Sequence, residues 1–237
     1  MDHILIVGSA PSAPEVASWD VSGFDAVVVI NNAWRAVPQW THFIHPEDFP
    51  PERRPDVIPA GKQIIGAETY VDAQNKYGGF VYAGGTMAFT AAYWALDAFR
   101  PKTLSFFACD MVYPKTGPTH FYGTGAADPL RADPTLVSLK AKARRLQVCA
   151  AQQGCSVVNL STLDSVLPYP RGSLGNINSS CEPYDVDAAL EAASLEMQAG
   201  YYVPSGRYWD HIDRFDPAVI ARIDAIWVRA FEGAADA

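Results

Sequence analysis

The most constraining feature of the sequence is a set of short apolar runs that do not alternate. Ile4-Leu5-Ile6-Val7 and Ala26-Val27-Val28-Val29-Ile30 are continuously apolar and mostly β-branched. Such runs fit strands buried on both faces of a parallel sheet, not the half-exposed strands of an antiparallel one. Thr41 to His45, Leu104 to Ala108 and Ser156 to Leu160 repeat the pattern, and Lys62 to Gly66 and Phe80-Val81-Tyr82 read as shorter strands. Helical signals lie between them. Ser12-Ala13-Pro14-Glu15 has the form of a capping box with proline in the first turn, and Thr86 caps an apolar helix, Met87 to Phe99, closed by Arg100-Pro101. Pro134 to Ala151 carries a seam of Leu136, Leu139, Ala143, Leu146 and Ala150. Asp185 to Ala199 carries Val186, Leu190, Ala193 and Met197, and Pro217 to Phe231 carries Ile220, Ile223, Trp227 and Phe231.

This alternation predicts an α/β, Rossmann-like fold, with a mainly parallel sheet, helices on both faces and C-terminal helices. Residues 1–165 are expected to form a nucleotide-binding core, and 166–237 a helical extension packed on the same domain. At 49% hydrophobic and 19% charged, the 237 residues are within the globular range. A net charge of −8 argues against duplex nucleic acid or an anionic membrane as a general partner. No run approaches the roughly 20 apolar residues of a membrane helix. The Met1-Asp2-His3 start does not read as a signal peptide. Cys109, Cys149, Cys155 and Cys181 form no CxxC pair or zinc spacing, which predicts free thiols and a cytoplasmic protein.

In parallel sheets ligands bind at the carboxyl ends of the strands. The residues there are Gly8-Ser9-Ala10-Pro11-Ser12, Asn31-Asn32, His45, Gly84-Gly85-Thr86, Asp110 and Asn159. Small residues before a helix let an anion approach free N–H groups. Two such turns, at Gly8 and Gly84, predict a nucleotide phosphate or ribose held between them. Neither GxGxxG nor GxxxxGK[ST] occurs, which weakens nicotinamide, flavin and P-loop readings. The glycine-, proline- and tyrosine-rich stretch from Met111 to Asp133 is long enough to serve as a lid or binding loop. Pro46 to Pro59 reads as a surface loop.

Ile6-Val7-Gly8-Ser9-Ala10-Pro11-Ser12, Ile30-Asn31-Asn32, Gly84-Gly85-Thr86, Phe107-Ala108-Cys109-Asp110-Met111-Val112-Tyr113 and Thr119-His120-Phe121-Tyr122 together resemble the ordered motifs of bacterial sialyltransferases of glycosyltransferase family 42. They also resemble a related Rossmann-like group that includes 6-hydroxymethylpterin pyrophosphokinases. The resemblance spans residues 4 to 160 and implies a GT-A-variant-like fold. It also implies a nucleotide between the Gly8–Ser12 and Gly84–Thr86 turns, with Asn31 on its sugar-phosphate side. The implied activity is metal-independent transfer of a sugar, most simply from a CMP-sugar, to a glycan or small hydroxyl acceptor, with no further cofactor. A loop histidine acts as base in that family and loop tyrosines hold the leaving phosphate, and His120, Tyr113 and Tyr122 are the counterparts here. The position aligned with the family's base lies nearer Thr124. The pyrophosphokinase likeness implies instead Mg²⁺-dependent transfer to a small hydroxymethyl acceptor, and a third reading is a nucleotide-binding module without catalysis. A homo-oligomer is compatible with each.

Other residues carry alternatives. Asp110 has the chemistry to bind a ribose hydroxyl or a metal, or to cap its own turn. His42 and His45, three apart on a strand, face opposite ways, and His45 with Glu47 and Asp48 reads as a surface turn. Asp185-Val186-Asp187 matches a metal-binding DxD, but it follows Pro183-Tyr184 rather than a strand and reads as a helix start. Lys140, Lys142, Arg144 and Arg145 predict a solvated basic helix face. Tyr201, Tyr202, Tyr208 and Trp209 have the shape to stack on sugars or to pack a loop on the core.

Overall fold

A computed structural model describes residues 1–124, 133–177 and 180–232. Six parallel strands form one sheet: β1 (His3–Val7), β2 (Ala26–Ile30), β3 (His42–Ile44), β4 (Gln63–Ile65), β5 (Thr103–Phe107) and β6 (Ser156–Asn159), in the order β4-β3-β2-β1-β5-β6. The chain steps outward from β1 to β4, then crosses back to pair β5 with the other edge of β1 in the register Ile4 with Leu104 and Val7 with Phe107. The order therefore reverses between β1 and β5, the position where open α/β sheets bind ligands.

The unbroken apolar strands serve two cores at once. Ile4 and Ile6 of β1 and Val28 and Ile30 of β2 enter one apolar cluster. Their neighbours Leu5, Val7, Val27 and Val29 enter a second on the opposite face. Full burial of each such side chain contributes about 1.5–3 kcal/mol, so neither face tolerates a polar alternation. The first face is covered by α1 (Ala67–Lys76), α3 (Met87–Phe99) and α4 (Leu139–Ala151). On the second face lie the 3-10 segments Ala13–Ser18 and Asn31–Arg35 with their flanking loops.

Local chemistry explains where the elements depart from expectation. Phe80–Ala83 is a single helical turn, α2, not a strand. It is bounded by Gly79 (φ 83°) and Gly84 (φ 94°), whose left-handed backbone closes a turn where a strand would have to be extended. The long helix from Pro134 is interrupted: Pro134–Leu136 is 3-10, and Ser138, in extended conformation, caps α4 by accepting the Ala141 N–H. The capping box at Ser12 does not form, because Ser12 adopts helical angles and its hydroxyl makes no capping bond. Helix α1 has no counterpart in the sequence reading. Its buried side is only Tyr70, Ala73 and Gln74, too polar a stripe to register as amphipathic.

The C-terminal helices α5 (Val186–Ala199) and α6 (Pro217–Arg229) form a further layer packed on α4 and Tyr82. The seam expected on α5 points outward, with Leu190 60% and Met197 78% exposed. The buried side is Ala188, Ala189, Ala192 and Glu196. Glu196 accounts for the inversion, since it receives Arg145 of α4 in two parallel bonds of 2.8 Å and the Trp227 indole N–H of α6 at 2.8 Å. Arg145 also donates to Tyr93 Oη and to the Tyr77 carbonyl, while buried Lys142 pairs with Asp224 at 2.8 Å. The basic face expected on α4 is thus largely internal, with Lys140 alone of its four cations exposed. Among the described residues no helix is long and apolar enough to cross a membrane.

Removing one partner of a buried, multiply bonded ion pair strands the other charge. Arg145→Ala should therefore lower unfolding free energy by about 3–5 kcal/mol in urea titration, whereas Lys140→Ala should change it by less than about 0.5 kcal/mol.

Candidate functional site

At the reversal point the backbones following β1 and β5 touch. The Gly8 and Ala10 N–H groups donate to Phe107 O and Ala108 O at 2.9 and 3.0 Å. A Cβ on Gly8 would stand 2.3 Å from Ala108 O, so only glycine fits. Ser9 joins this contact to the next strand end, its hydroxyl donating to Ile30 O at 3.3 Å. Asn31, Ala108 and Met111 all hold left-handed φ values of 52–54°. Asparagine tolerates this, but alanine and methionine pay about 1–2 kcal/mol each, and strain of that kind concentrates at functional sites. Among the described residues the remaining positive-φ side chain, Arg100, merely caps α3.

Buried polar atoms gather at the same edge. Ser12 Oγ, Asn31 Oδ1, Asn32 Oδ1 and both Asp110 carboxylate oxygens are buried without a hydrogen-bond partner. Four of the predicted binding residues thus carry acceptors that folding leaves unmatched, and in native proteins such groups call for a ligand or bound water. Burial raises the Asp110 pKa. The hydroxyls of Ser161 and Ser165 and the charge of the Arg171 guanidinium oppose that rise. These three residues were not anticipated. Their signal was the serine pair directly after a buried strand, which Asn159 secures by accepting from Ser161 N–H and donating to Ser165 Oγ.

The loop after β5 folds back onto this edge. His120 and Gly123 exchange backbone bonds of 3.0 Å, and the intervening Phe121 N–H donates to Ser9 O at 3.1 Å. The three residues expected to act in catalysis are thereby brought together: the His120 ring stacks on Tyr122 at 4.9 Å, and Tyr113 lies 6.1 Å away. His120 Nδ1 is 2.8 Å from Thr119 Oγ1. With the proton on Nδ1, donated to Thr119, Nε2 holds the free lone pair a base requires. Thr124 instead bonds Gly117 O within the loop. Residues 125–132 of the expected lid lie outside the described residues.

Both turns commit N–H groups expected to be free for a phosphate: in the first, Gly8 and Ala10 bond the β5 exit. In the second, Gly84 is packed against Phe89 and the Lys142 stem, and the Gly85 N–H donates to Thr135 Oγ1 at 3.1 Å. Thr86 does cap α3, accepting from Phe89 N–H at 3.4 Å. The parallel topology sets this cap at the carboxyl edge with Gly8.

The histidines of β3 do face opposite ways. His42 packs on Trp94 and Phe99, and His45 stacks on Phe49. The expected surface turn forms just after it, closed by Phe49 N–H to Pro46 O with Glu47 and Asp48 exposed, but His45 itself is buried at 6% exposure. Asp185 caps α5 by accepting the Ala188 N–H, as its helix-start reading required. The four cysteines are free, and among the described residues no three His, Cys, Asp or Glu side chains converge. Two open grooves are walled in part by Leu174 and Gly175: one, with Trp19, Leu160 and Thr162, borders the exit of β6, and the other, with His3, Asp20 and Phe24, lies at the start of β1.

Burial lowers the pKa of His42, His45 and His120. Below the ordinary histidine value of 6.5 the unfolded chain takes up protons that the folded chain refuses, so their stabilising effect is complete above that pH and is lost as pH falls. Urea unfolding should show lower stability at pH 5.5 than at pH 7.5, with a smaller difference in His42→Gln.

No protein-family model matches this chain, and neither a curated protein nor a solved structure matches it. Its function is therefore to be read from these residues.

Proposed function

We propose that the protein is a glycosyltransferase that moves a sugar from a nucleotide-sugar donor, of the CMP-sugar class, to a hydroxyl acceptor without a metal ion. The observation that carries this reading is the Phe121–Ser9 bond, which holds the His120–Tyr122–Tyr113 group beside the first strand-end turn. Unmatched polar atoms suited to a nucleotide's hydroxyl and amino groups and side chains suited to group transfer then share one edge of the sheet.

In the reaction, His120 Nε2 takes the proton of the acceptor hydroxyl as its oxygen forms a bond to the anomeric carbon. The bond from that carbon to the donor phosphate oxygen breaks, and the phosphate leaves with the electron pair. Tyr113 and Tyr122 donate hydrogen bonds to it as charge develops. Burial keeps His120 neutral at pH 7, the state a base must start from. Asn31, Asn32 and Ser12 supply the acceptors and donors for the nucleotide, and Asp110 reaches the ribose hydroxyls. The free thiols fit a cytoplasmic setting.

CMP at about 100 times its dissociation constant adds ~2.7 kcal/mol to stability, equivalent for a chain of this size to a rise of roughly 5–10 °C in Tm. That rise should survive EDTA. His120→Gln should preserve it while lowering sugar transfer by about 10²–10⁴-fold. Stabilisation by ATP with Mg²⁺ alone would replace this reading with pyrophosphoryl transfer. CMP binding with no turnover of CMP-sugars would leave a nucleotide-binding module.

A further inference from the structure

Two constraints orient the His120 ring. Its face stacks on Tyr122, with ring centroids 4.9 Å apart and planes 20° from parallel, and the backbone beyond it is closed into a tight turn by the paired His120–Gly123 bonds. A stack fixes the plane of an imidazole but not which edge faces outward, because a half-turn about the Cβ–Cγ bond keeps the plane and exchanges Nδ1 with Cδ2. The edge is chosen by Thr119, whose Oγ1 lies 2.8 Å from Nδ1. Among the described residues this is the only hydrogen bond to the imidazole. Thr119 is buried, at 6% exposure, whereas His120 is half-buried, so the threonine is the fixed member of the pair.

The contact admits two proton arrangements. Either threonine accepts Nδ1–H, leaving Nε2 with a lone pair, or it donates to a bare Nδ1, leaving Nε2 protonated. The molecule contains the same pair a second time. Thr41, just before β3, also precedes a histidine, and its Oγ1 lies 2.8 Å from His42 Nδ1. There Oγ1 accepts the Val27 N–H at 2.9 Å and gives its own proton to Val27 O at 3.1 Å. A hydroxyl has one proton and two lone pairs, so toward His42 it is left as an acceptor, and His42 carries its proton on Nδ1. The surroundings of the two rings differ. His42 is packed in the core on Trp94 and Phe99, whereas His120 lies in the turn that bonds Ser9 O, with the Tyr113 ring 6.1 Å away. One pair holds a core ring in place; the other holds a ring at the edge of the sheet where the unmatched polar atoms gather.

We infer that Thr119 is a positioning residue: its hydroxyl accepts the Nδ1–H of His120, selects that tautomer and turns Nε2 outward as a proton acceptor. The consequence for sugar transfer rests on the transferase reading, whereas the tautomer is measurable without substrate. The test is a long-range ¹H–¹⁵N spectrum of the full chain labelled with ¹⁵N-histidine at pH 7.5, with the His120 signals assigned by their loss in His120→Gln. His120 should show a protonated Nδ1 and a bare Nε2, the pattern of His42. Thr119→Val, which keeps the shape and removes the hydroxyl, should lose that pattern and lower kcat for sugar transfer by about tenfold or more, with KM for the donor unchanged. Thr119→Ser should restore the tautomer and bring kcat to within about threefold of the wild type. A protonated Nε2 in the wild type, or an unchanged tautomer in folded Thr119→Val, overturns the inference. The expected tautomer and its dependence on Thr119, found in a protein that turns over no CMP-sugar, would keep the inference and remove the transferase reading alone.

Discussion

The contact between Gly8 and Ala108 is where the two halves of the sheet become one surface. Strand β1 is the only strand that pairs with both halves, β2 on one edge and β5 on the other. Beyond its last residue the chain must turn away without pushing β5 aside. Glycine allows the backbones to close to hydrogen-bonding distance, and the left-handed Ala108 then directs Cys109 under the turn and Asp110 toward the β6 exit. Everything proposed for the site follows from that junction. Ser9 bonds the second strand and the loop that carries His120 because Gly8 has fixed its position, and Asn31 continues the same row on the neighbouring strand.

A different logic holds the C-terminal layer. Helix α5 buries only Ala188, Ala189, Ala192 and Glu196, while α6 supplies Ile220, Ile223, Ile226 and Trp227. Specific orientation comes from the Arg145–Glu196–Trp227 bonds and the Lys142–Asp224 pair. Buried ion pairs are a weak source of net stability, because desolvation offsets much of the attraction. Their geometry is exacting all the same, and here Arg145 also ties the end of α1 through the Tyr77 carbonyl, while Tyr82 Oη of α2 donates to the Glu196 carbonyl of α5. The second strand-end turn is consequently braced from behind by the extension.

Much of the sheet was legible because doubly buried strands leave short, continuously apolar, β-branched runs bounded by turn residues. Ala26–Ile30 was read to its limits, as was α3 with its Thr86 cap. The strand-end residues were legible for the same reason, since the topology names the edge once the strands are known. Legibility failed where a charged residue was buried or an apolar one exposed. Glu196, Arg145 and Lys142 lie in helices whose patterns point the other way, and their partners are 51 and 82 residues distant in the chain, beyond any local periodicity. Phe80–Ala83 misled because three β-prone residues between glycines satisfy a turn as well as a strand. The use of the Gly85 N–H by Thr135 was equally invisible, because it depends on a side chain 50 residues away.

The two faces of the sheet are covered unequally, by three α-helices on one side and by 3-10 segments and loops on the other. A 3-10 segment of five or six residues has few internal hydrogen bonds and poorer geometry in each. The energy needed to open it locally is accordingly lower than for the α-helical side. Ser12 and Asn31 both belong to that lightly held side. The molecule is in this sense hinged in its energetics: amide exchange on the 3-10 face can be fast while the opposite face remains locked, and the edge that holds Ser12 and Asn31 can adjust without disturbing the helical core.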